Sequence, residues 1–529
     1  MSPAVGVVDR RRHPRVRFES LVRISGDSRK RQKAVGRDIS FGGCSVYVEQ
    51  SAKLAEHERI EIALTPPRRF IDAIFDSRCR LTGRIAGDRK GEDAGDGHRR
   101  CVAVEFDDDL RQVVKEIYRH RRLKFSLILL VALLGIFALK FTTVQYYWHR
   151  PVLNIYSLTV TGYILSRFLL AFFYRPPRDV GFEPTVSIVI PVKDDGDIIG
   201  RTISRCFESD YPTKKTEMIV INDGSTDNTM EEILEAQKRF PNLQVINFKQ
   251  NKGKRHAMAA AFESARNEIL VCIDSDSLVN KDSIRFIVQG FADLSVGAVC
   301  GHAYVLDADS NALTKMQEVR YYIAFKVMKA AEHAFSVVTC CSGCMAAYRR
   351  DYVMDVVDSW LGQMWIKRSA TFGDDRSLTN FMLRKYRVLY DSRAIVETAV
   401  PQTWMTFFRQ QLRWKKSWFR ESLIAGTFMW YKHPMAATFF YLGIVLPLIS
   451  PLIVLGNFVF GPIFSGTLPV YYIMGFGLIS VLYCSYYAAK RPNTKWPYGL
   501  LFCLVYMAVL AWQTYYAVLT SHKNHWGTR

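Results

Sequence analysis

The sequence predicts a multi-domain membrane protein: a small N-terminal β-barrel, an α/β domain with a mostly parallel sheet, and α-helical membrane segments. Three observations carry that prediction. Residues 434–489 contain no Asp, Glu, Lys, Arg or His, a run that no soluble domain of ordinary size needs. Residues 1–124 and 176–423 are, by contrast, dense in charge. Between 184 and 400, β-branched runs alternate with helical ones, as in βαβ units. A purely soluble chain and a bundle that is membrane throughout are both excluded. The 529 residues leave room for several domains. With 32 Gly, 19 Pro and 11 Cys, collagen, disorder and a disulfide scaffold are excluded too.

Short alternating strands are expected over Val16–Ile24, Arg37–Asp38, Cys44–Val48, Arg59–Leu64, Ile71–Ile85 and Cys101–Phe106, with a helix over Leu110–His120. This sets a first domain at 9–118. Its start is Arg-rich and polar, unlike a cleavable signal peptide. Two apolar runs follow, Phe125–Tyr147 and Val152–Tyr174, giving a membrane helix pair at 125–174. Basic clusters at 119–124 and 175–178 flank the pair, and the positive-inside rule then puts both charged regions in the cytosol. Arg167, inside the second run, either snorkels toward the cytosolic end or faces a polar pathway.

The region 176–423 reads as strand Val186–Val192, strand Met218–Asn222, helix Thr229–Phe240, strand Gln244–Phe248, helix His256–Ala265 and strand Ile269–Asp274. Residues 434–520 then supply about three further spans, and 521–529 form a polar tail. The net charge of +21 fits positive-inside bias or phosphate-bearing ligands. No zinc-finger, RRM or basic-zipper pattern is present, so nucleic acid is not an expected partner. Cys341-x-x-Cys344 lacks a second pair at metal spacing and reads as close packing of small residues.

Ligands of open α/β sheets bind beyond the strand ends. There the sequence places Lys193-Asp194-Asp195, Asp223-Gly224-Ser225, Lys252-Gly253-Lys254-Arg255 and Asp274-Ser275-Asp276. Further on come Gly373-Asp374-Asp375-Arg376 and Gln410-x-x-Arg413-Trp414. Each alone is an ordinary turn or surface charge. In this order they supply carboxylates for a divalent cation, bases for a diphosphate and a separate acidic pair. Those are the needs of sugar transfer from a nucleotide sugar.

These blocks, with Ser342-Gly343 and the run Gly373–Asn380, resemble processive family-2 glycosyltransferases of GT-A fold, most of all hyaluronan and chitooligosaccharide synthases. The resemblance covers about 125–529. It implies that Asp194, Asp223, Lys254, Arg255, Asp274 and Arg413 meet the donor, and that Asp276 with Asp274 meets Mg2+ or Mn2+. It makes Asp375 the base, with Asp374 beside it. Trp414, Gln410, Ser342 and Gly343 are then placed at the acceptor. It favours UDP-GlcNAc, with or without UDP-glucuronate, and leaves other hexoses open. His525-Trp526-Gly527-Thr528-Arg529 resembles a tail block that is cytosolic in the family, whereas five spans would leave it outside. Either one apolar stretch is re-entrant, or Leu423–Tyr431 counts toward a span, or the block's role does not transfer.

In the first domain, Arg11-x-x-x-Arg15 and Asp38-x-Ser40-x-x-Gly43 together resemble a PilZ domain, which implies cyclic di-GMP held by Arg11, Arg15, Asp38, Ser40 and Gly43. Two guanidinium groups suit guanine stacking and phosphate pairing. The expected protein is a bacterial inner-membrane polysaccharide synthase, switched on by cyclic di-GMP, that passes its product through its own helices and meets envelope export proteins. A non-processive lipid-linked glycosyltransferase and a scaffold with a dead transferase are the alternatives.

Overall fold

A computed structural model describes residues 16–17, 21–25, 31–40, 43–49, 58–64, 79–88, 99–143, 151–466, 468–491 and 493–522. The chain divides into two compact units, Met1–Ile136 with Leu478–Pro497, and Phe137–Gly477 with Tyr498–Arg529.

The first unit holds an antiparallel sheet in the order Val16–Arg17, Arg31–Ser40, Leu21–Ser25, Arg59–Leu64, Cys79–Asp88, Arg99–Phe106 and Gly43–Glu49. Gly43–Glu49 also pairs with Arg31–Ser40, which closes the sheet into a barrel and removes its long edges. Inward residues alternate along the strands, and Val22, Ile24, Ile39, Val46, Ile60, Ile62 and Val104 fill the barrel. The strand expected over Arg37–Asp38 is ten residues long, because pairing on both sides recruits the polar stretch Arg31–Gly36. Of the run expected over Ile71–Ile85, residues 71–78 lie outside the described residues. The helix expected to stop at His120 continues as Leu110–Thr143. Nothing in Arg121-Arg122-Leu123-Lys124 breaks a helix, so the element that packs Leu110 into the barrel core runs on into the first apolar segment.

The second unit carries an eight-stranded mixed sheet. Its spatial order is Leu243–Phe248, Thr216–Asp223, Val186–Val192, Ile269–Cys272, Ala346–Arg349, Val296–Val305, Arg387–Thr398 and Ser277–Val279. The first four strands are mutually parallel. Val186–Val192 is buried along its whole length, as a strand covered on both faces must be. Helices Gly196–Phe207, Thr229–Arg239 and Lys254–Ser264 cross over between the parallel strands. All the strands and helices expected from 184 to 274 are present within a few residues. Cys341 and Cys344 are buried free thiols.

Among the described residues, five helices are long and apolar enough to span a membrane: Arg122–Thr142, Asn154–Phe172, Pro434–Phe464, Tyr472–Lys490 and Tyr498–Leu519. Leu423–Tyr431 is not part of a sixth among the described residues. The helix Trp404–Gly426 ends there, and Met429–Tyr431 is a short 3-10 turn. Residues 523–529, with the Trp-Gly-Thr-Arg block, lie outside the described residues.

Candidate active site

The parallel strands end in loops that share one edge of the sheet. After Val186–Val192 the chain turns at Asp194, whose backbone is left-handed (φ 51°). Its carboxylate accepts the Thr226 N–H at 2.7 Å and pairs with Lys193 at 2.8 Å. These bonds hold Asp194 below the usual carboxylate range, with the Lys193 hydrogen bond contributing most. After Thr216–Asp223, the Asp223 carboxylate accepts the N–H groups of Lys252 and Gly253 at 2.7 and 2.9 Å. Burial nevertheless lifts its pKa, because desolvation outweighs both bonds. Gly224 has φ +65°, and a Cβ there would lie 2.6 Å from the Asn251 nitrogen. The loops carrying Asp194 and Asp223 are thus locked to each other and to the turn before Lys254.

Lys254 opens the helix Lys254–Ser264, and Asp375 lies in the first turn of the helix Asp374–Lys385. The Lys254 ammonium bonds Asp274 and lies 3.8 Å from Asp375. The Gly343 N–H donates to Asp375 Oδ2 at 2.9 Å. A Cβ on Gly343 would stand 2.8 Å from Asp375, 2.9 Å from the Lys254 nitrogen and 3.0 Å from Asp274. Four residues expected at the site from distant parts of the sequence therefore converge on one small volume. Burial alone would lower the Lys254 pKa, but Asp274 and Asp375 reverse this and raise it. Burial raises the Asp375 pKa, helped by Asp274 and Asp374 and opposed by Lys254. Asp276 is half-buried, with Thr398 Oγ1 3.3 Å from its carboxylate.

Two expected site residues face elsewhere. Arg255 and Asp374 are 3% and 2% exposed and pair at 2.8 Å. Arg255 also donates to the Trp360 carbonyl at 2.8 Å and to Gln363 at 3.2 Å. Adjacent helical residues point about 100° apart, so one member of each charged pair turns to the cleft and the other to the interior. Arg255, expected at the donor, and Asp374, expected beside the base at the catalytic site, are accordingly corrected to an internal brace. The brace extends through residues that sequence reasoning gave no role. Gln363 accepts from Ser377 and donates to Glu421, which also accepts from Asn380 and Arg420. Ser342 is half-buried, and its hydroxyl accepts from the half-buried Lys329 at 2.9 Å.

Gln410, Arg413 and Trp414 stand half-buried on the helix Trp404–Gly426, which packs on Asp374–Lys385. The Arg320 guanidinium lies 5.3 Å from the Trp414 ring centroid. Lys415 donates to Thr514 at 2.7 Å, and burial pushes its pKa down to about 8. Among the described residues no group of three or more His, Cys, Asp or Glu side chains is placed to hold a metal ion.

In the barrel, Val16 and Arg17 are the cross-strand partners of Ile39 and Asp38, so the chain just after Arg15 runs along the strand that carries Asp38 and Ser40. The Ser40 hydroxyl donates to the Gly43 carbonyl at 3.1 Å. A Cβ on Gly43 would meet the Val104 oxygen at 2.4 Å. Arg11 and Arg15 lie outside the described residues.

Comparison with known proteins gives two family matches: Glycosyl transferase family 2 over residues 187–357, and the PilZ domain over 9–120. A hyaluronan synthase of Streptococcus pyogenes is 27% identical over 397 residues, which are 73% of this chain and 93% of that protein. An N-acetylglucosaminyltransferase of Neorhizobium galegae is 29% identical over 65% of this chain and 80% of its own length. A solved mannosyltransferase from Pyrobaculum calidifontis aligns with 68% of this chain and 99% of its own, at 20% identity and a TM-score of 0.47.

Proposed function

The chain is a membrane glycosyltransferase with a glycosyl transferase family 2 domain and a PilZ domain, and from that premise we propose a processive polysaccharide synthase gated by cyclic di-GMP. The observation that carries the chemistry is the convergence of Lys254, Asp274 and Asp375 on Gly343. A half-buried carboxylate with a raised pKa beside a fixed ammonium suits a general base next to a leaving diphosphate. In the proposed step an acceptor hydroxyl attacks the anomeric carbon, the bond to the diphosphate oxygen breaks with inversion, and Asp375 takes the hydroxyl proton. Lys254 and Arg413 steady the departing diphosphate, while Asp194 and Asp223 hold the nucleotide. Trp414 and Gln410 seat the acceptor sugar, and the backbone of Gly343 orients Asp375.

Asp274 and Asp276 fit Mg2+ or Mn2+. Two carboxylates without a third protein ligand are what a cation shared with donor phosphates needs. When bound, the ion supplies charge stabilisation to the leaving group. Chelation is expected to abolish transfer and either ion to restore it. Full activity after rigorous metal removal refutes this part.

The relatives named hyaluronan synthase and N-acetylglucosaminyltransferase support UDP-GlcNAc, with or without UDP-glucuronate, as donor. Placement in a bacterial inner membrane, with both charged regions cytosolic, belongs to the same reading and rests on the basic flanks of the first helix pair. So do export through the chain's own helices and contact with envelope export proteins. The deciding experiment incubates membranes containing the protein with UDP- and GDP-sugars, with and without cyclic di-GMP, and sizes the product. Long polymer that increases with cyclic di-GMP supports the proposal. Single-sugar addition to lipid identifies a non-processive enzyme, and no donor turnover identifies a scaffold.

For the switch, Arg11, Arg15, Asp38, Ser40 and Gly43 are the proposed ligand residues. The register of Arg17 against Asp38 supports them, because it pairs the two residues that follow Arg15 with the strand that carries Asp38 and Ser40. Arg15→Ala removes a charge-assisted bond and is expected to weaken cyclic di-GMP binding by about tenfold or more in calorimetry of the whole protein. Unchanged affinity removes Arg15 from the site.

A further inference from the structure

We propose that the protein holds an anionic phospholipid by its phosphate in two adjoining cavities at the foot of the transferase domain. The first cavity, about 150 Å3, is lined by Tyr163, Arg167, Glu332, Arg376, Trp418 and Phe439 among others. The second, about 260 Å3, is lined by Lys385, Arg387, Lys432 and His433. Phe335 and Val337 form part of both walls.

The charge on these walls is unbalanced. Arg167 is 5% exposed, and its guanidinium lies 4.7 Å from the Tyr163 ring centroid and 4.5 Å from that of Phe439. Among the described residues its one hydrogen bond runs to the Tyr163 hydroxyl at a long 3.4 Å. Among the described residues no carboxylate pairs with Arg167, Arg376, Lys385 or Lys432. The carboxylate on the wall, Glu332, accepts the Thr339 N–H and hydroxyl at 3.0 and 3.1 Å. Arg387 is already paired with Asp293 at 2.7 Å. A guanidinium withdrawn from water without a counter-charge is costly, and more so inside a membrane span. An anion seated between Arg167 and Arg376 offsets that cost and matches the planar donor forks of both.

The depth of the cavities selects the source of that anion. Arg167 lies in the span Asn154–Phe172, about 8 Å along the helix axis from its Phe172 end. Lys432 and His433 immediately precede the span Pro434–Phe464. Trp430 and Tyr431, 59% and 72% exposed and stacked at 3.6 Å, mark the interfacial belt beside them. Lipid phosphates lie at this level, and each basic residue near an anionic surface strengthens the attraction. Arg376 follows Asp375 in the chain, so the occupant also steadies the first turn of the helix that carries Asp375.

The test uses the full chain in nanodiscs of phosphatidylcholine with or without phosphatidylglycerol, with bound lipid counted by native mass spectrometry. Phosphatidylglycerol is expected to be retained in preference to phosphatidylcholine, and not to be displaced by millimolar inorganic phosphate. Arg167→Gln and the double variant Lys385→Gln/Lys432→Gln are expected to reduce retention by about fivefold per charge removed. The lysine pair lies outside the spans, so it serves even where Arg167→Gln fails to insert. Equal retention of the two lipids, or unchanged retention in the double variant, overturns the proposal. Displacement by inorganic phosphate assigns the site to a soluble anion and overturns the lipid source. Because the readout is mass, a failed sugar-transfer reading leaves this result intact.

Discussion

Asp375→Asn is expected to lower the rate of sugar transfer by roughly 10²–10⁴ while leaving nucleotide affinity and melting temperature near those of the native protein. Asparagine keeps the shape of the side chain and an oxygen for the Gly343 N–H, now 2.9 Å from Asp375 Oδ2, but cannot take the acceptor's proton. The pH dependence has a definite sign. Only the ionised carboxylate acts as a base, and burial raises the Asp375 pKa. Activity therefore falls with decreasing pH, and does so at a higher pH than an ordinary aspartate would give. Initial rates across pH, paired with calorimetry of donor binding, check both points. Substantial polymer from the Asn variant would remove Asp375 as the base.

Its neighbour is expected to behave in the opposite way. Asp374→Asn leaves the Arg255 guanidinium buried and without its counter-charge, a situation that costs about 3–5 kcal/mol. Thermal unfolding in detergent should show the loss directly, with transfer falling in proportion to the folded fraction. The double variant Arg255→Leu/Asp374→Leu is expected to be more stable than either single change, because no unpaired charge remains. A variant Asp374→Asn that melts normally but transfers no sugar would return Asp374 to the chemistry.

These two residues also show how far the sequence was legible. Continuous apolar runs such as Val186–Val192 identify buried parallel strands without ambiguity, and the charged clusters after them mark the working edge of the sheet. Pairs such as Lys254-Arg255 and Asp374-Asp375 are a different matter. Composition shows that both members matter, but which one faces the cleft depends on the rotation of each helix, set by packing against Trp360, Gln363 and Glu421. The clue available in advance was the helix itself, since adjacent residues cannot share a face. Ser342 is tied to Lys329, a partner thirteen residues away that has no sequence signature. Arg31–Ser40 was read too short because strand pairing, not local propensity, extends it.

The Lys254 ammonium has a consequence of its own. It lies between two acidic side chains from distant parts of the sequence, so one covalently tethered cation is always present among them. The chain thus carries a surrogate counter-ion for its own reaction centre. Mutual repulsion of Asp274 and Asp375 is muted before any ligand arrives. On the proposed reading, a divalent ion would take over carboxylate contacts that Lys254 already makes, an exchange of partners rather than an assembly and collapse. A cluster built this way keeps its carboxylates tied to a charge of the chain's own.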